Sequence, residues 1–242
     1  MSGGAAGPIR PGRRGISEAL RTFVEEIPFE RLPILAFVQE VAAKTPPGAR
    51  VLDLGAGDAP YRELFRHADY RTHDWPESPH VGGALADVVA HAAALPLERE
   101  SLQLILCTQV LEHVPEPARV LSECFRILEP GGELALTVPL VWELHELPHD
   151  YYRYTERGVE HLLTEAGFVD IAVAPRNDSF TTLAQLLLNA RHAMGRAPDG
   201  LDPRREDARE LLSDLASQLA RLAPLAVRWQ LPLGYRATAR RP

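Results

Sequence analysis

The chain has 242 residues, of which 45% are hydrophobic and 24% charged, a composition typical of a globular protein that needs no disulfides to fold. Residues 1–190 carry 16 basic and 27 acidic side chains, and this net charge of −11 disfavours a nucleic-acid partner, because phosphate binding needs a basic surface. Two cysteines, no run of 18 apolar residues and no apolar signal near the N-terminus favour a cytoplasmic protein without a membrane span.

The predicted elements alternate between helices and strands. Residues 1–15 are rich in Gly, Pro and Arg and are predicted to be disordered. Helical spacing from Ile16 to Ala43, interrupted at Pro28 and Pro33, predicts two helices. Strands are predicted at 50–55, 70–74, 87–90, 102–107, 133–138, 169–173 and 234–239, and further helices at 60–68, 117–128, 155–167, 181–194 and 204–222. This order predicts an α/β fold: a Rossmann-like, seven-stranded, mostly parallel sheet with helices on both faces.

A single domain is expected over residues 16–242, with lid helices at 16–44 and a helical insert at 176–233 before the last strand. One face of the second insert helix is apolar, formed by Ala208, Leu211, Leu212, Leu215, Leu219 and Leu222. An apolar helix face of this size is expected to pack against another surface of the protein or of a partner. We expect the insert to cap a substrate pocket and, second, to form the interface of a homodimer.

The stretch from Val51 to Tyr61, VLDLGAGDAPY, runs from a buried strand through a two-glycine loop to a helix start. Such a loop lets backbone approach a ligand, and free N–H groups at the helix start attract an anionic group. Pro60 stands where a dinucleotide-binding loop has its third glycine, which disfavours a Rossmann oxidoreductase. Asp53, at the strand end, is either a carboxylate beside a positively charged cofactor or a structural group that binds the loop.

Asp74 ends the next strand, 21 residues after Asp53. An acid at this place accepts hydrogen bonds from ribose hydroxyls, although a loop or capping aspartate is the alternative. Trp75 follows and is a candidate to pack on a purine, with a half-buried core tryptophan as the alternative.

These pieces together resemble the class I S-adenosylmethionine-dependent methyltransferases, in particular the methyltransferase type 11 subgroup. The resemblance runs from Arg50 to Phe168 through VLDLGAGDAPY, Asp74, ALPLERESLQLILCTQVLEHV, ECFRILEPGGELALTVP and PHDYYRYT. It implies S-adenosylmethionine as cofactor. The cofactor-binding residues that it implies are Asp53, Gly55, Ala56, Gly57, Tyr61, Asp74, Trp75, His91, Ala92, Thr108, Gln109 and His113.

One position departs from the family. His91 stands where an aspartate usually accepts a hydrogen bond from the adenine amino group. A neutral imidazole still accepts one hydrogen bond, so an altered adenine contact is expected rather than loss of binding. A solvent-facing loop histidine is the alternative. His113 is a further candidate base, although a structural imidazole bound to the next loop is favoured.

The segment from His145 to Thr155 is dense in polar side chains and follows the fifth strand, at the sheet edge where ligands bind. Histidine suits removal of a proton from a hydroxyl near neutral pH, so the predicted catalytic residues are His145, His149 and Asp150. His149 is favoured because the adjoining Asp150 is placed to orient its ring. The alternative is a loop whose Asp150–Arg153 pair orders the following helix.

Side chains around these histidines are predicted to bind the substrate, namely Trp142, Tyr151, Tyr152 and Arg153. No metal is predicted, because Pro148 breaks the helix that would align the two histidines.

The sequence thus predicts a methyltransferase that acts on a small molecule, with a hydroxyl oxygen of a natural product or sugar as the favoured acceptor. The alternative is an S-adenosylmethionine-binding fold that serves a non-methylating enzyme or a noncatalytic binding protein, because fold alone does not fix function.

Overall fold

The seven strands form one sheet in a computed structural model that describes residues 16–195, 204–225 and 230–242. The predicted disorder of residues 1–15 lies outside these ranges. The strands are β1 (Arg50–Leu54), β2 (Asp69–Asp74), β3 (Val88–Val89), β4 (Leu102–Thr108), β5 (Leu128–Pro139), β6 (Val169–Pro175) and β7 (Gly234–Arg240). Their order across the sheet is β3-β2-β1-β4-β5-β7-β6, and the predicted fold class is confirmed.

The strand connections place a cleft at one edge of the sheet. β1 pairs in parallel with β2 on one side and β4 on the other, so the loops leaving these strands diverge to opposite sides. In open α/β sheets this switch point is where ligands bind, beyond the carboxyl ends of the strands. β7 is antiparallel to both of its neighbours, β5 and β6, and β6 forms the edge of the sheet on that side.

In the described parts of the chain, six α-helices cover the sheet or pack beside it. They are α1 (Glu18–Glu26), α2 (Pro28–Lys44), α3 (Pro117–Ile127), α4 (Glu156–Glu165), α5 (Ser179–Gly195) and α6 (Arg204–Arg221). Two of them begin at the expected kind of cap: the Ser17 hydroxyl accepts from the Leu20 N–H, and the Thr155 hydroxyl accepts from the Gly158 N–H. Such caps bind N–H groups that the first helical turn leaves without a partner.

Two local predictions were wrong. Pro33 lies inside α2 instead of interrupting it, and the buried Ile34, Phe37 and Val38 that follow it hold the helix against the sheet. Residues 60–68 contain only one 3₁₀ turn, Arg62–Phe65, instead of an α-helix.

The core has two halves, one on each face of the sheet. Leu104 and Leu106 of β4 belong to the half that also contains α1 and α2, whereas Ile105 and Cys107 belong to the half with α3 and α4. This alternation follows from the two-residue period of a strand. The N-terminal helices are therefore part of the domain core, and α2 in particular is fixed against the sheet.

The insert helices α5 and α6 pack on each other, and α5 also contacts α2. The apolar face predicted for α6 is divided: Ala208, Leu212 and Leu219 are half-buried, but Leu211 is 59% exposed and Leu215 40% exposed. The reason is that a narrower side of the helix, centred on buried Ala216, faces inward. None of the described helices combines the length and the hydropathy needed to cross a membrane.

Candidate cofactor and acceptor site

Two adjoining cavities lie at the carboxyl edge of the sheet. The larger has a volume of about 540 Å³ and the smaller about 230 Å³, and Gly55, His80, Gln109 and Glu146 line both. The predicted site residues that line the larger cavity are Gly55, Asp74, Trp75, His91, Ala92, Gln109, His113, His149 and Tyr151. Those that line the smaller are Gly55, Ala56, Gly57, Tyr61, Thr108, Gln109, Trp142 and His145.

The loop after β1 requires glycine at Gly55. Its φ is +69°, and an added Cβ would lie 2.5 Å from Cγ2 of Val110. A side chain there would be strained and would overlap the opposite wall. Gly57, with φ +54°, is less tightly enclosed, since its Cβ would lie 3.3 Å from the His80 ring. The two glycines therefore let the loop lie between the two cavities.

Asp74 joins the ends of β1 and β2. Its Oδ2 accepts from the Gly57 N–H at 3.0 Å, and its Oδ1 accepts from the Trp75 N–H at 2.8 Å. Each carboxylate oxygen has a second lone pair, so this side chain can still accept from hydroxyls in the larger cavity. The geometry fits a ribose beside Trp75.

Asp53 lies elsewhere. It is buried, lines neither cavity, and accepts a hydrogen bond from the Tyr70 hydroxyl. Burial raises the pKa of this carboxyl to about 7, although the Tyr70 bond acts in the opposite direction. Instead of facing a ligand or the loop N–H groups, Asp53 is held beneath the loop.

Sequence reasoning missed His73. Its Nδ1 accepts from the Gly55 N–H at 3.3 Å, so Nε2 carries the proton and donates to the Ala90 carbonyl at 2.9 Å. Burial lowers the pKa of this imidazole, which keeps it neutral in this arrangement. His73 thus links the β1 loop to the backbone next to His91. Its position beside Asp74 at the end of β2 was the one feature of the sequence that could have marked it as a site residue.

Two other groups at the site had no signal in the sequence. His80 and Glu146 come from separate loops, and their side chains approach to 3.6 Å between the cavities. Pairing with His80 holds the pKa of Glu146 below its usual range. The second oxygen of Glu146 lies 3.8 Å from Nε2 of His113.

In the wall opposite the sheet edge, Asp150 and Arg153 form the pair that the alternative interpretation predicted. Their side chains form two hydrogen bonds of 2.6 and 2.9 Å, and Asp150 also accepts from the His145 N–H at 3.0 Å. Arg153 holds the pKa of Asp150 well below its usual range. A carboxylate of this kind is a weak base, and it lines neither cavity.

The prediction that Asp150 orients His149 was wrong. The imidazole near Asp150 is that of His145, with Nδ1 3.4 Å from Oδ2. His149 instead pairs with the Tyr151 hydroxyl at 3.1 Å, and its ring meets Trp75 edge-on at 4.8 Å between centroids. The cis Leu147–Pro148 peptide lies between the two histidines, which face different cavities.

Two predicted substrate residues also turn away from the cavities. The Tyr152 hydroxyl donates to the Pro115 carbonyl at 3.0 Å, and Arg153 donates to the Glu143 carbonyl at 2.8 Å. Trp142 and Tyr151 remain at the cavity walls. Of the described residues of the insert, none lines either cavity; α5 lies behind α2, whose first turns reach the smaller one.

Comparison with known proteins finds a methyltransferase domain in part of the chain. A family model described as a methyltransferase domain matches residues 52–136. The malonyl-[acyl-carrier protein] O-methyltransferase of Methylococcus capsulatus is 35% identical over 153 residues, which cover 54% of this chain and 56% of the relative. The ubiquinone biosynthesis O-methyltransferase of Hahella chejuensis is 34% identical over 112 residues, 41% of this chain and 46% of the relative. The chain thus spans about half the length of these curated relatives.

Solved structures share the fold. A methyltransferase from Archaeoglobus fulgidus, described as SAM-dependent, superposes with a TM-score of 0.56 at 16% identity, over 91% of this chain and 98% of its own. The [4+2]-cyclase SpnF gives 0.53 at 20% identity, over 88% and 82%. Residues 52–136 therefore carry a methyltransferase domain, in agreement with the class I S-adenosylmethionine-dependent methyltransferases that the motifs resemble. The solved structures show the shared fold.

Proposed function

We propose that this protein transfers a methyl group from S-adenosylmethionine to a hydroxyl oxygen of a small molecule. The observation that carries the proposal is that the two cavities adjoin: they share Gly55 and Gln109, and one histidine lines each, His149 the larger and His145 the smaller. A cofactor and an acceptor need such adjoining spaces, because methyl transfer depends on aligning two reactants.

The larger cavity suits the adenosine part of the cofactor. Asp74 accepts from the ribose, Trp75 covers the adenine, and His91 with Ala92 contacts the adenine edge. Its volume lies in the range of small-molecule sites. When bound, S-adenosylmethionine supplies a sulfonium methyl group as the electrophile.

The smaller cavity suits the methionine part and the acceptor. Gly57, Tyr61 and Thr108 line its sheet side, while Phe23 and Ile34 bring apolar surface from the N-terminal helices. We therefore propose that residues 16–44, expected to be lid helices, form one wall of the acceptor pocket. The insert helices α5 and α6 are proposed to support this wall from behind, because α5 contacts α2.

A hydroxyl acceptor must lose its proton as its oxygen takes the methyl group. His145 and His149 are the two candidate bases, and each has Nδ1 beside a hydrogen-bonding partner, the Glu143 carbonyl or the Tyr151 hydroxyl. When Nδ1 donates to that partner, Nε2 is free to accept a proton. Asp150 acts as a positioning residue through its bond to the His145 N–H.

The curated relatives support an oxygen acceptor, because both are named as O-methyltransferases. We further propose a natural-product or sugar-like acceptor, a cytoplasmic location consistent with two buried free cysteines, and no nucleic-acid partner. A homodimer through the exposed leucines of α6 is the proposed oligomer.

The alternative is an S-adenosylmethionine-binding protein that methylates nothing. His91 in place of the usual aspartate and the fold shared with a [4+2]-cyclase keep this function in view. Calorimetry with S-adenosylmethionine, S-adenosylhomocysteine and NADH tests the cofactor, and methyl-labelled cofactor with panels of hydroxyl, carboxyl and amine acceptors tests the reaction. Tight cofactor binding without any labelled product would favour the alternative.

A further inference from the structure

We infer that Glu112, His113 and His145 form a binding site for a divalent metal ion of the zinc type, in the wall between the two cavities. One ligand atom from each of the three side chains lies within 4.8 Å of the others. His113 lines the larger cavity and His145 the smaller, and their rings meet edge-on with centroids 4.7 Å apart. This set differs from the His145, His149 and Asp150 group that the sequence disfavoured.

Glu112 is the observation that points to a cation. Its exposure is 0%, and among the described residues no other residue donates a hydrogen bond to its carboxylate oxygens; its own backbone N–H is the one donor beside them. A buried carboxyl group without partners costs several kcal/mol, roughly 2–7 for a neutral polar group and more for a charged one. A bound cation would supply both the missing contacts and the compensating charge.

Both histidines are held in a state that can bind a metal. Nδ1 of His113 donates to the His149 carbonyl at 2.7 Å, and Nδ1 of His145 faces the Glu143 carbonyl at 3.2 Å. A carbonyl can only accept, so each Nδ1 carries the proton and each Nε2 keeps its lone pair. Metal-binding histidines are commonly oriented by this kind of second hydrogen bond.

Two imidazoles and one carboxylate are the ligands of an open zinc site, with the fourth position left for water or substrate. Tetrahedral ligands at about 2.0–2.1 Å from zinc lie roughly 3.4 Å apart, so binding draws these side chains together by about 1 Å. Glu146, 3.8 Å from Nε2 of His113, is near enough to close the site when no acceptor is present.

The inference deepens the proposed function, and only this consequence rests on it. A cation at the junction would hold the acceptor oxygen and lower the pKa of its hydroxyl. His145 is then a ligand, and His149 is the imidazole left to take the hydroxyl proton. The oxygen forms its bond to the methyl carbon as the carbon–sulfur bond breaks, and the electron pair leaves on a neutral thioether.

Metal binding is tested directly on the full chain after treatment with a chelator. Co²⁺ is added while the visible absorption is recorded, because tetrahedral Co²⁺ absorbs strongly, and Zn²⁺ is then added to displace it. We expect one saturable site per chain. Glu112→Gln and His145→Ala should each weaken Co²⁺ binding by roughly 10–100-fold or more, the loss seen even for supporting residues of metal sites.

His161→Ala is the matched control, because it removes an exposed imidazole from α4, away from both cavities. It should bind Co²⁺ like the parent. No saturable absorption in the parent, or equal affinity in His145→Ala, would overturn the site. His145 is on a partly exposed loop, so this variant decides the matter even where Glu112→Gln fails to fold.

Calorimetry with S-adenosylmethionine separates the two proposals. In the metal-free protein, calorimetric cofactor binding together with transfer of labelled methyl at the rate of the metal-loaded protein would overturn the catalytic role of the metal and leave the proposed function standing. Metal binding with no methyl transfer to any acceptor would do the reverse.

Discussion

The two walls of the site are built in different ways. The sheet-edge wall consists of Gly55, Asp74 and Gln109 at the ends of strands, and backbone N–H groups hold it in place. The opposite wall, residues 142–154, has no helix or strand, and the Asp150–Arg153 ion pair orders it. The sheet edge is thus fixed by the fold, whereas the opposite wall depends on particular side chains.

The two walls also differ in what sets the pKa of an aspartate. Burial raises the pKa of Asp53, under the sheet edge, to about 7, while Arg153 holds that of Asp150 well below its usual range. The first carboxyl is tuned by loss of water and the second by a cation. On the proposed function, cofactor binding would therefore rest on the fold, and acceptor choice and proton transfer would rest on residues 142–154.

The largest expected effect on activity comes from substitutions in the opposite wall, residues 142–154. Replacing the base, His145 or His149, with Ala should lower the single-turnover rate by about 10²–10⁴-fold and leave the cofactor affinity close to that of the parent. Rapid-quench measurement with labelled cofactor checks the rate, and calorimetry checks the affinity. His161→Ala is the control. Full rates in both single variants would remove proton transfer from this wall.

A pair of glycines tests whether the sheet edge is rigid. Gly55 and Gly48 both have positive φ, but a Cβ on Gly48 meets nothing within 4 Å, whereas one on Gly55 overlaps Val110. Gly48→Ala should cost only backbone strain of about 1–2 kcal/mol in unfolding. Gly55→Ala should also weaken S-adenosylmethionine binding by about 2–3 kcal/mol, roughly 30–150-fold.

Denaturant unfolding measures the first quantity and calorimetry the second. Equal cofactor affinity in the two variants would mean that Val110 and the loop yield easily, and that the sheet edge is no stiffer than the opposite wall.

The same contrast explains what the sequence could predict. The positions of the loop after β1 and of the acid that ends β2 could be predicted from the sequence. The carboxyl ends of parallel strands meet at one edge of the sheet, and this does not depend on which side chains surround them. The partner of Asp150 was misjudged, because adjacency in sequence favoured His149 while the chain folds back to bring His145 to 3.4 Å. The buried state of Glu112 has no local signal, since it arises from residues 150–154 crossing over it.

Asp74 gives a smaller effect at the sheet edge. Asp74→Ala should remove the ribose acceptors and weaken S-adenosylmethionine binding by about 1–3 kcal/mol. Asp69→Asn, at the far end of the same strand and paired with Arg71, is the control and should bind normally. Calorimetry that returns the parent's affinity for a folded Asp74→Ala protein would refute the ribose assignment.

Asp53 gives the smallest effect, and it is read from stability. Its folded-state pKa is raised from 3.8 to about 7, so the folded chain binds a proton between these values that the unfolded chain has lost. Its contribution to stability is therefore complete below about pH 4 and decreases as the pH rises toward 7, by up to about 1.4 kcal/mol per pH unit.

The variant Asp53→Asn keeps an acceptor for Tyr70 and cannot ionise. From pH 5.5 to 6.5, the free energy of unfolding of the parent should fall by about 1 kcal/mol relative to this variant. Urea unfolding at the two pH values gives the difference, in which titrations shared by both proteins cancel. A constant difference would show that the Tyr70 bond keeps Asp53 ionised. The two aspartates would then both be stabilised as anions, one by a hydroxyl and one by a guanidinium, and burial would not distinguish the two walls.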